Sequence, residues 1–395
     1  MALISSPLKG FRVLDLTSVL FGPYATQLLG DLGADVIKIE QPSGDVTRSI
    51  GPSRSAKMGA AYLGCNRNKR SLALDLKRDA AKEVLFKLID TADIFVHNIR
   101  PQKVQSLGFD STAVMGRNTD IVYAALHGYL EEGPYGGKPA YDDVIQGQCG
   151  IAGTFFARDG KPALAPLVVA DKSAALMATI GINAAVIQRL RTGKGVYLEV
   201  GMFESMAAYT LLEHQFGTIF SPAIGEPGYS RAISSERKPY RTKDGYICML
   251  AYTDKQWELF WGLAERSDML ADSRFVDLAS RTQHIDDLYA QVGAVLAQRT
   301  SADWLEKLTE LEVPCGPINT LGDLRSDEHL SSIGFFRPFE HPSEGTLELM
   351  DNGFRIDGER LPVIHHPPKV GEQSVEVLEE AGIAPQLIEE ALRES

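Results

Sequence analysis

The sequence predicts an α/β protein: a parallel β-sheet covered by helices, with a second, smaller domain of α+β type. Apolar runs typical of buried strands alternate with helical patterns through the first half of the chain, and this alternation is typical of parallel sheets. The chain has 395 residues, 44% of them hydrophobic, which is enough for more than one core. The composition changes near residues 219–245, where Gly, Pro, Ser and charged residues are frequent.

The elements of the predicted sheet follow one another in order. Residues 12–16 and 34–40 have the pattern of buried strands, and the helix between them begins at Gly22-Pro23 and ends at Gly33. The pattern continues with strand 71–76, a helix at about 79–90, strand 93–98, a short helix after Pro101, strand 121–127, a long apolar helix at about 173–191 and the strand VYLEV. This order predicts βαβ units.

A smaller domain is expected beyond the change in composition. Residues at about 246–325 hold one strand-like segment, YICMLAY, and amphipathic helices such as DKQWELFWGLAE and SADWLEKLTELE. We therefore expect this domain at residues 221–328.

The net charge of −12 and the sequence pI near 5.2 argue against a nucleic-acid-binding protein, because binding phosphates requires a surplus of Lys and Arg on one face. The N-terminal MALISSPLKG lacks the pattern of a signal peptide, and no uninterrupted apolar stretch of membrane-spanning length is evident. We expect a cytoplasmic enzyme that binds no membrane.

The cysteines do not indicate a metal site, because they have neither CxxC nor zinc-type His spacing. They are Cys65, Cys149, Cys248 and Cys315. The histidines form no HExxH motif either. We expect reduced thiols and no metal.

Three features of the sequence indicate a possible functional site, and the first is a segment that contains several glycines. The segment FGPYATQLLGDLGAD does not match GxGxxG, and Pro23 occupies the turn, which argues against a nicotinamide cofactor. A helix that starts there could bind an anion or an adenosine through its free N–H groups. It could equally be an ordinary helix with proline in its first turn.

The second signal is basic. Lys38, Arg48, Lys69, Arg70 and Arg100 stand close to the ends of predicted strands. Ligands of parallel α/β sheets bind outside the carboxyl edge, so these residues could bind a polyanion through charge-assisted hydrogen bonds. The alternative is a set of solvated loop residues.

The third signal is Asp171, a single acid between an apolar run and the long helix. The position predicts an N-cap that accepts hydrogen bonds from the first free N–H groups. The helix dipole would keep such a carboxylate ionised and available as a nucleophile. The two roles are compatible.

In the order of its segments the chain resembles the class III CoA-transferases, the family of formyl-CoA transferase and carnitine CoA-transferase. The resemblance rests on the segments RVLDLTSVLFGPYATQLLGDLGADVIKIE, NRNKRSLALDLK, DIFVHNIRP, YDDVIQGQCGI, VVADKSAALMATIGINAAVIQRLRTGKGVYLEVGMFES, RKPYRTKDGYI and VPCGPINTL. They cover most of the chain.

This resemblance implies a fold and an assembly. It implies a Rossmann-like large domain made of residues 1–220 and 329–395, with the small domain 221–328 inserted between them. It also implies an interlocked homodimer, in which each chain threads through the other. Coenzyme A would be a substrate, as acyl-CoA, with no tightly bound cofactor.

The resemblance also implies the site. Val19, Asn98, Leu107 and Tyr141 match positions that contact CoA, and Lys69 and Arg70 stand near enough in sequence to contact its phosphates. Asp171 matches the nucleophile, which would form a mixed anhydride with the donor acyl group and then an aspartyl-CoA thioester before the acceptor acid takes the CoA.

The sequence departs from the formyl-CoA enzyme in several places. Gln41 and Ser106 replace arginines near the adenine end, so phosphate contacts would shift to Lys38, Arg48 or Lys103. LAYTDKQW replaces a mobile glycine run, which argues against oxalate or formate as the substrate.

A small dicarboxylic acid is the favoured acceptor, because arginine binds carboxylates in a bidentate manner and several arginines are available for this role. They are Arg48, Arg231, Arg237 and Arg241.

Two alternatives stay open. The first is a 2-methylacyl-CoA racemase, whose family has a His where this chain has Tyr141; tyrosine, with an ordinary pKa near 10, is a poor general base, although His127 lies upstream. The second is a non-catalytic acyl-CoA binding protein, in which Asp171 would have no chemical role.

Overall fold

A sheet of six strands forms the centre of the fold in this computed structural model, which describes residues 6–393. The strands are β1 (Arg12–Leu16), β2 (Asp35–Glu40), β3 (Lys69–Ala73), β4 (Ile94–His97), β5 (Val122–His127) and β6 (Val196–Gly201). Their spatial order is β3-β2-β1-β4-β5-β6, and every neighbouring pair is parallel. The predicted α/β class with a parallel sheet is confirmed.

The helices are α1 (Phe21–Asp31), α2 (Ala60–Cys65), α3 (Asp79–Ile89), α4 (Pro101–Leu107), α5 (Ser111–Arg117), α6 (Asp142–Gln148), α7 (Ile151–Asp159), α8 (Val169–Thr192), α9 (Met202–His214), α10 (Ser230–Ile233), α11 (Asp254–Leu263), α12 (Ser267–Ala271), α13 (Leu278–Gln283), α14 (Ile285–Leu296), α15 (Ser301–Glu310), α16 (Glu328–Ser332), α17 (Ser374–Glu380) and α18 (Pro385–Leu392). Short 3₁₀ turns lie at Val46–Ser49, Phe216–Ile219 and Asp323–Arg325.

The described chain divides into two compact units. Unit 1 consists of residues 6–149, 165–209 and 335–393, and unit 2 of residues 150–164 and 210–334. Unit 1 holds the parallel sheet and the antiparallel pair β10 (Phe336–His341) and β11 (Gly345–Met350). Unit 2 holds the antiparallel strands β7 (Tyr240–Arg241), β8 (Tyr246–Met249) and β9 (Cys315–Pro317). The domain bounds at 220/221 and 328/329 stay a prediction.

The core of unit 1 follows from the alternation along its strands. Leu14, Ile37 and Phe95 point to one face, where α3 and the C-terminal helices supply apolar partners. The next residues along β1 and β2, Asp15 and Lys38, point to the opposite face and are also fully buried. The sheet therefore has an apolar face and a face that contains buried charges.

Unit 2 has a core of its own, in which large aromatic side chains of three helices meet β7 and β8. Trp261 and Trp304 are almost completely buried there. Trp304 donates a hydrogen bond from Nε1 to the carbonyl of Leu296 at 2.8 Å, so its polar atom is satisfied.

Several predicted boundaries are wrong by a few residues, and two of them bear on the site. The strand predicted at 71–76 begins at Lys69 and ends at Ala73, because Lys69 and Arg70 pair in register with Val36 and Ile37 of β2. The helix predicted from about 173 begins at Val169 and so includes Asp171 in its first turn.

Helix α8 has the length and mean hydropathy of a membrane-spanning helix, although polar residues such as Thr179 and Asn183 interrupt its apolar sequence. An 18-residue window within it has a mean hydropathy of 1.3. The helix packs against α1 and β6 of unit 1, where Ala174, Ala178 and Ile182 are buried. Only 39% of the window is buried, however, so much of its apolar surface is uncovered in the single chain.

Candidate active site

Asp171 lies in the first turn of α8 and is only 8% exposed. The predicted N-cap role is wrong, because the N-cap position belongs to Val168, whose apolar side chain accepts no hydrogen bond. Asp171 stands three residues further along the helix. Its carboxylate is therefore not used to cap the helix.

Asp142 is the structural partner of Asp171, and it begins α6 directly after Tyr141. Its Oδ2 accepts a hydrogen bond from the backbone N–H of Asp171 at 3.0 Å. Gln146 Nε2 donates both to Asp142 Oδ1 and to the carbonyl of Leu167, while Gln146 Oε1 accepts from the backbone N–H of Ala165. These bonds hold the chain segment that enters α8 against α6.

The electrostatic setting of Asp171 differs from the expected one. Burial, together with the negative charge of Asp142, raises the pKa of Asp171 from 3.8 to about 6. The helix N-terminus was expected to hold the carboxylate ionised, but burial and the neighbouring acid outweigh it. At neutral pH the carboxylate is still mostly ionised, because the pH exceeds this pKa by about one unit.

A cavity of about 390 Å³ opens onto Asp171, and we call it the acyl cavity. Val19, Asn98 and Tyr141, three of the residues predicted from the sequence, line it together with Asp171. Phe21 and Met202 contribute apolar walls, whereas Tyr141 is 67% exposed.

The loop after β1 is held in place by Asn98. Asn98 Oδ1 accepts from the backbone N–H of Ser18 at 2.9 Å, and Asn98 Nδ2 donates to the carbonyl of Ser18 at 2.8 Å. The next residue, Val19, has a positive φ of 71°, which is rare for a β-branched residue. Such strain is often found at functional sites, where surrounding contacts impose it.

A second cavity of about 280 Å³ lies at the carboxyl ends of β1, β2 and β3, and we call it the edge cavity. Leu107, the fourth predicted contact, lines it, as does Gln41. Ser18, Ile99 and Lys103 line both cavities, so the two adjoin within unit 1.

Lys38 and Lys69 are buried on the polar face of the sheet. Lys38 Nζ forms an ion pair with Asp45 at 3.0 Å, and Lys69 Nζ forms one with Asp15 at 3.1 Å. Although burial opposes it, Lys69 and then Lys38 hold the pKa of Asp15 at about 2. The charges of both lysines are thus directed to internal carboxylates.

Arg48 and Arg70 are also engaged inside unit 1. Arg48 forms an ion pair with Glu40 at 2.6 Å and stacks over the ring of Tyr62. Arg70 pairs with Asp35 at 2.8 Å and with two glutamates of α17. All four side chains already form ion pairs with carboxylates of unit 1. Their predicted contacts with CoA stay a prediction: Lys38, Arg48, Lys69 and Arg70.

Other cations around the two cavities carry no ion pair within residues 6–393. Lys77 lines the edge cavity, Arg100 lines the acyl cavity, and Lys103 lines both. All three are exposed and follow the carboxyl ends of β3 and β4. Arg100 and Lys103 were already named from the sequence, whereas Lys77 was missed, although its position after a strand end could have indicated it.

One cluster among the described residues has the composition of a metal site. His127, Glu131 and Glu199 each offer a ligand atom within 4.8 Å of the others. His127 Nδ1 lies 3.2 Å from Glu199 Oε1, and His127 is not among the residues that line the acyl cavity. The expectation of no metal site, made from the Cys and His spacing, stays a prediction.

The site thus consists of a buried acid and two adjoining cavities at the carboxyl edge of a six-stranded parallel sheet. The sequence profile of CoA-transferase family III matches residues 8–374. The chain belongs to this family, and the resemblance noted in the sequence is confirmed. It is an enzyme of the CoA-transferase class that uses CoA thioesters as substrates.

Particular relatives agree with this assignment. Succinyl-CoA:glutarate CoA-transferase of Mus musculus is 29% identical over 95% of this chain and 86% of its own length. Succinyl-CoA:mesaconate CoA-transferase of Haloarcula hispanica is 30% identical over 95% of this chain and 96% of its own. The crystal structure of a CAIB/BAIF family protein from Brucella suis superposes with a TM-score of 0.80 at 27% identity, covering 95% of this chain and 100% of that one.

Proposed function

We propose that this enzyme moves CoA from an acyl-CoA donor to a free carboxylic acid, with Asp171 as the nucleophile. The observation that supports this most directly is a buried carboxylate, with a pKa raised to about 6, at the wall of the acyl cavity. A carboxylate with a raised pKa is more nucleophilic than an ordinary one and is still mostly ionised at neutral pH.

The first half-reaction forms two intermediates. An oxygen of Asp171 attacks the thioester carbon of the donor, the C–S bond breaks, and CoA leaves as a thiolate with a mixed anhydride in its place. The thiolate then attacks the side-chain carbonyl carbon of Asp171. The donor acid leaves as a carboxylate, and an aspartyl-CoA thioester remains.

The second half-reaction repeats these steps in reverse. The acceptor carboxylate attacks the aspartyl-CoA thioester and releases the thiolate, which gives a second anhydride. The thiolate attacks the acyl carbon of the acceptor, and Asp171 leaves as a carboxylate. The energy of the thioester is conserved, because each step exchanges one activated acyl group for another.

The structure supports a specific placement of CoA. In the proposal the adenosine end lies in the edge cavity against Leu107, and the pantetheine arm passes Ser18 into the acyl cavity, past Val19, Asn98 and Tyr141. The phosphates are contacted by the exposed cations Lys77, Arg100 and Lys103, which have no other ion-pair partner within residues 6–393. This placement uses charges that are free to bind an anion.

The buried cations have a supporting role in this proposal. Lys38 ties Asp45 to the carbonyl of Thr17, two residues that line the edge cavity. Arg48 fixes Glu40, which lines the same cavity. Lys38 and Arg48 would therefore shape the CoA site without touching the phosphates.

A dicarboxylic acid is the proposed acceptor. The relatives named above act, by their names, on succinyl-CoA with glutarate or mesaconate, and each of these acids carries two carboxylates. Succinyl-CoA is accordingly the first donor to test.

We further propose a cytoplasmic, interlocked homodimer in which residues 221–328 form an inserted domain. The uncovered apolar side of α8, where Ile180 is 63% and Leu190 is 67% exposed, supports a dimer; the interlocked form, the cytoplasmic location and the bounds 221–328 rest on the family resemblance. Large apolar surfaces of this kind are typical of protein–protein interfaces.

The substitution Asp171→Asn tests the nucleophile. The control is Asp143→Asn, because Asp143 is an exposed acid next to Asp142. We expect Asp171→Asn to lower transfer by about a thousandfold or more while CoA still binds, because an amide cannot form the anhydride. Hydroxylamine added to wild-type enzyme and donor acyl-CoA should modify Asp171 and no other carboxylate, as read by peptide mass spectrometry. Near-normal transfer by Asp171→Asn, or a label on a different residue, would refute the mechanism.

A further inference from the structure

A buried histidine lies beside two glutamates near the ends of β5 and β6, within unit 1. His127 is the last residue of β5, and Glu199 of β6 stands directly beside Ala125 of β5 in the parallel register. Residues two apart on a strand share a face, so His127 and Glu199 point to the same side of the sheet. Leu126, which lines the acyl cavity, points to the other side. Glu131 reaches His127 from the loop after β5.

The polar contacts of His127 are confined to these two carboxylates. Its side chain is only 4% exposed. Nδ1 lies 3.2 Å from Glu199 Oε1 and 3.5 Å from Glu131 Oε1, whereas Nε2 has no hydrogen-bond partner within residues 6–393. Hydrogen bonds from nitrogen to oxygen are usually about 2.9–3.0 Å long, so both contacts are long. The buried imidazole thus directs one nitrogen at two carboxylates without a short hydrogen bond to either.

The charges of the two glutamates are not balanced by lysine or arginine. Neither Glu131 nor Glu199 forms an ion pair with such a residue within residues 6–393. The buried acids Asp15 and Asp45, by contrast, each pair with a lysine. The side chain of Glu199 is only 18% exposed, and one oxygen of each glutamate lies within 4.8 Å of the other. Two like charges this close in a partly buried site are unfavourable unless a cation lies between them.

The spacing of the ligand atoms matches a tetrahedral zinc site. Zn²⁺ binds imidazole nitrogen and carboxylate oxygen at about 2.0–2.2 Å, so two ligand atoms of a tetrahedral ion lie about 3.4 Å apart. The two distances from His127 Nδ1, 3.2 and 3.5 Å, bracket this value. A cavity of about 280 Å³, which Glu131 and Tyr197 help to line, gives the ion an entry path and room for a water as the fourth ligand.

We propose that His127 Nδ1, Glu131 and Glu199 bind a divalent transition-metal ion of the Zn²⁺ type. One imidazole and two carboxylates suit such an ion, whereas Mg²⁺ and Ca²⁺ take six or more ligands, mostly oxygens. The ion links the end of β5, the loop after it and β6, so its role is structural. The expectation of no metal rested on spacing along the chain, and these ligands are as far as 72 residues apart.

Calorimetric titration of the chelator-treated, full-length enzyme with zinc chloride tests the site. Wild type should bind one Zn²⁺ per chain, and Glu131→Gln and His127→Gln should each weaken this binding by at least about tenfold, because a ligand is lost. Glu131 is an exposed loop residue, so its variant should fold even if His127→Gln does not. Glu132→Gln, which changes the next exposed acid of the loop, is the control and should bind Zn²⁺ as wild type does.

Stability supplies a second readout. Zn²⁺ should raise the urea midpoint of wild type and of Glu132→Gln but not of Glu131→Gln, because the three ligands meet only in the folded chain. Absence of Zn²⁺ binding, or equal Zn²⁺ affinity in wild type and Glu131→Gln, would overturn the inference, as would tighter binding of Mg²⁺ or Ca²⁺ than of Zn²⁺. Neither measurement needs turnover, so the result is independent of the role of Asp171.

Discussion

At the scale of single residues, the pair Asp171 and Asp142 is unfavourable in the resting enzyme. Asp171 is buried beside a second acid, and these two factors together raise its pKa. Both proposed intermediates convert the Asp171 carboxylate into an uncharged acyl group, which removes the buried charge. In the proposed mechanism, loss of this buried charge would contribute part of the driving force for acylation.

Asp171→Asn should stabilise the protein at neutral pH. The pKa of Asp171 is higher in the folded state (about 6) than its ordinary 3.8, so the folded state binds more protons between these values and stability falls as pH rises through that window. Asparagine is uncharged throughout. Relative to wild type, the unfolding free energy of Asp171→Asn should be nearly unchanged around pH 4 and higher by at most about 3 kcal/mol above pH 6. The limit follows from about 1.36 kcal/mol per unit of difference between the two pKa values. Urea denaturation at several pH values measures this, with Asp143→Asn as the reference; a gain independent of pH would contradict it.

The activity should depend on the same ionisation. In the proposed mechanism transfer needs the ionised Asp171 carboxylate, so kcat/KM should fall about tenfold per pH unit below about 6. Asp142→Asn removes the neighbouring negative charge while burial remains, and the acid limb should move to lower pH.

Initial rates with succinyl-CoA across the acid range measure the position of this limb. Asp143→Asn, which changes an exposed acid, should leave the limb where it is. An unmoved limb in Asp142→Asn would mean that Asp142 acts only through its hydrogen bond to the Asp171 backbone.

The sequence located several residues of the acyl cavity but not the structural partner of Asp171. Val19, Asn98 and Tyr141 were named from the resemblance, and Asp171 from its position before the long helix as well. The structure brings all four to one cavity. Asp142 was missed because it stands 29 residues from Asp171 along the chain, and only the packing of α6 against α8 joins them. Its place next to Tyr141 was the one available signal.

At the scale of elements, the polar face of the sheet explains why the basic signal was misleading. Lys69 and Arg70 look like loop residues ahead of a strand, yet they are the first two residues of β3. Once in the strand, Lys69 points to the buried face and meets Asp15 of β1, two strands away. A linear pattern does not reveal such a pairing, because the acid that neutralises the lysine lies 54 residues earlier.

The two kinds of lysine should respond differently to substitution. Lys103→Gln should raise the KM for acyl-CoA several-fold with little change in stability, because in the proposed placement an exposed charge near the CoA phosphates is lost. Lys69→Met should destabilise the fold by about 3–5 kcal/mol, because Asp15 is left buried without its closest cation.

Steady-state kinetics and urea denaturation of the two variants measure this contrast. Lys194→Gln is the control for Lys103, since Lys194 is exposed and precedes the amino end of β6, at the opposite edge of the sheet. An unchanged KM in Lys103→Gln would remove Lys103 from the proposed CoA contacts.

At the scale of the whole molecule, the single chain leaves apolar surface uncovered. Along α8, residues Leu176, Ile180, Ile187 and Leu190 are all exposed, although the opposite side of the helix lies in the core of unit 1. The sequence predicted that α8 is an apolar helix. It did not indicate that the rest of the chain covers only one side of this helix. The proposed homodimer would cover the other side and so account for this surface.

The interlocked form of that dimer makes a kinetic prediction. If each chain threads through the other, the subunits separate only when one chain unfolds, so exchange should be limited by the rate of unfolding. Tagged and untagged dimers mixed under native conditions and followed by native mass spectrometry should therefore stay unmixed, even after long dilution. The same mixture unfolded in urea and refolded should give mixed dimers in statistical proportion, which is the control for detection. Rapid formation of mixed dimers without denaturant would exclude the interlocked topology, while a dimer through α8 would still be consistent with the exposed apolar side.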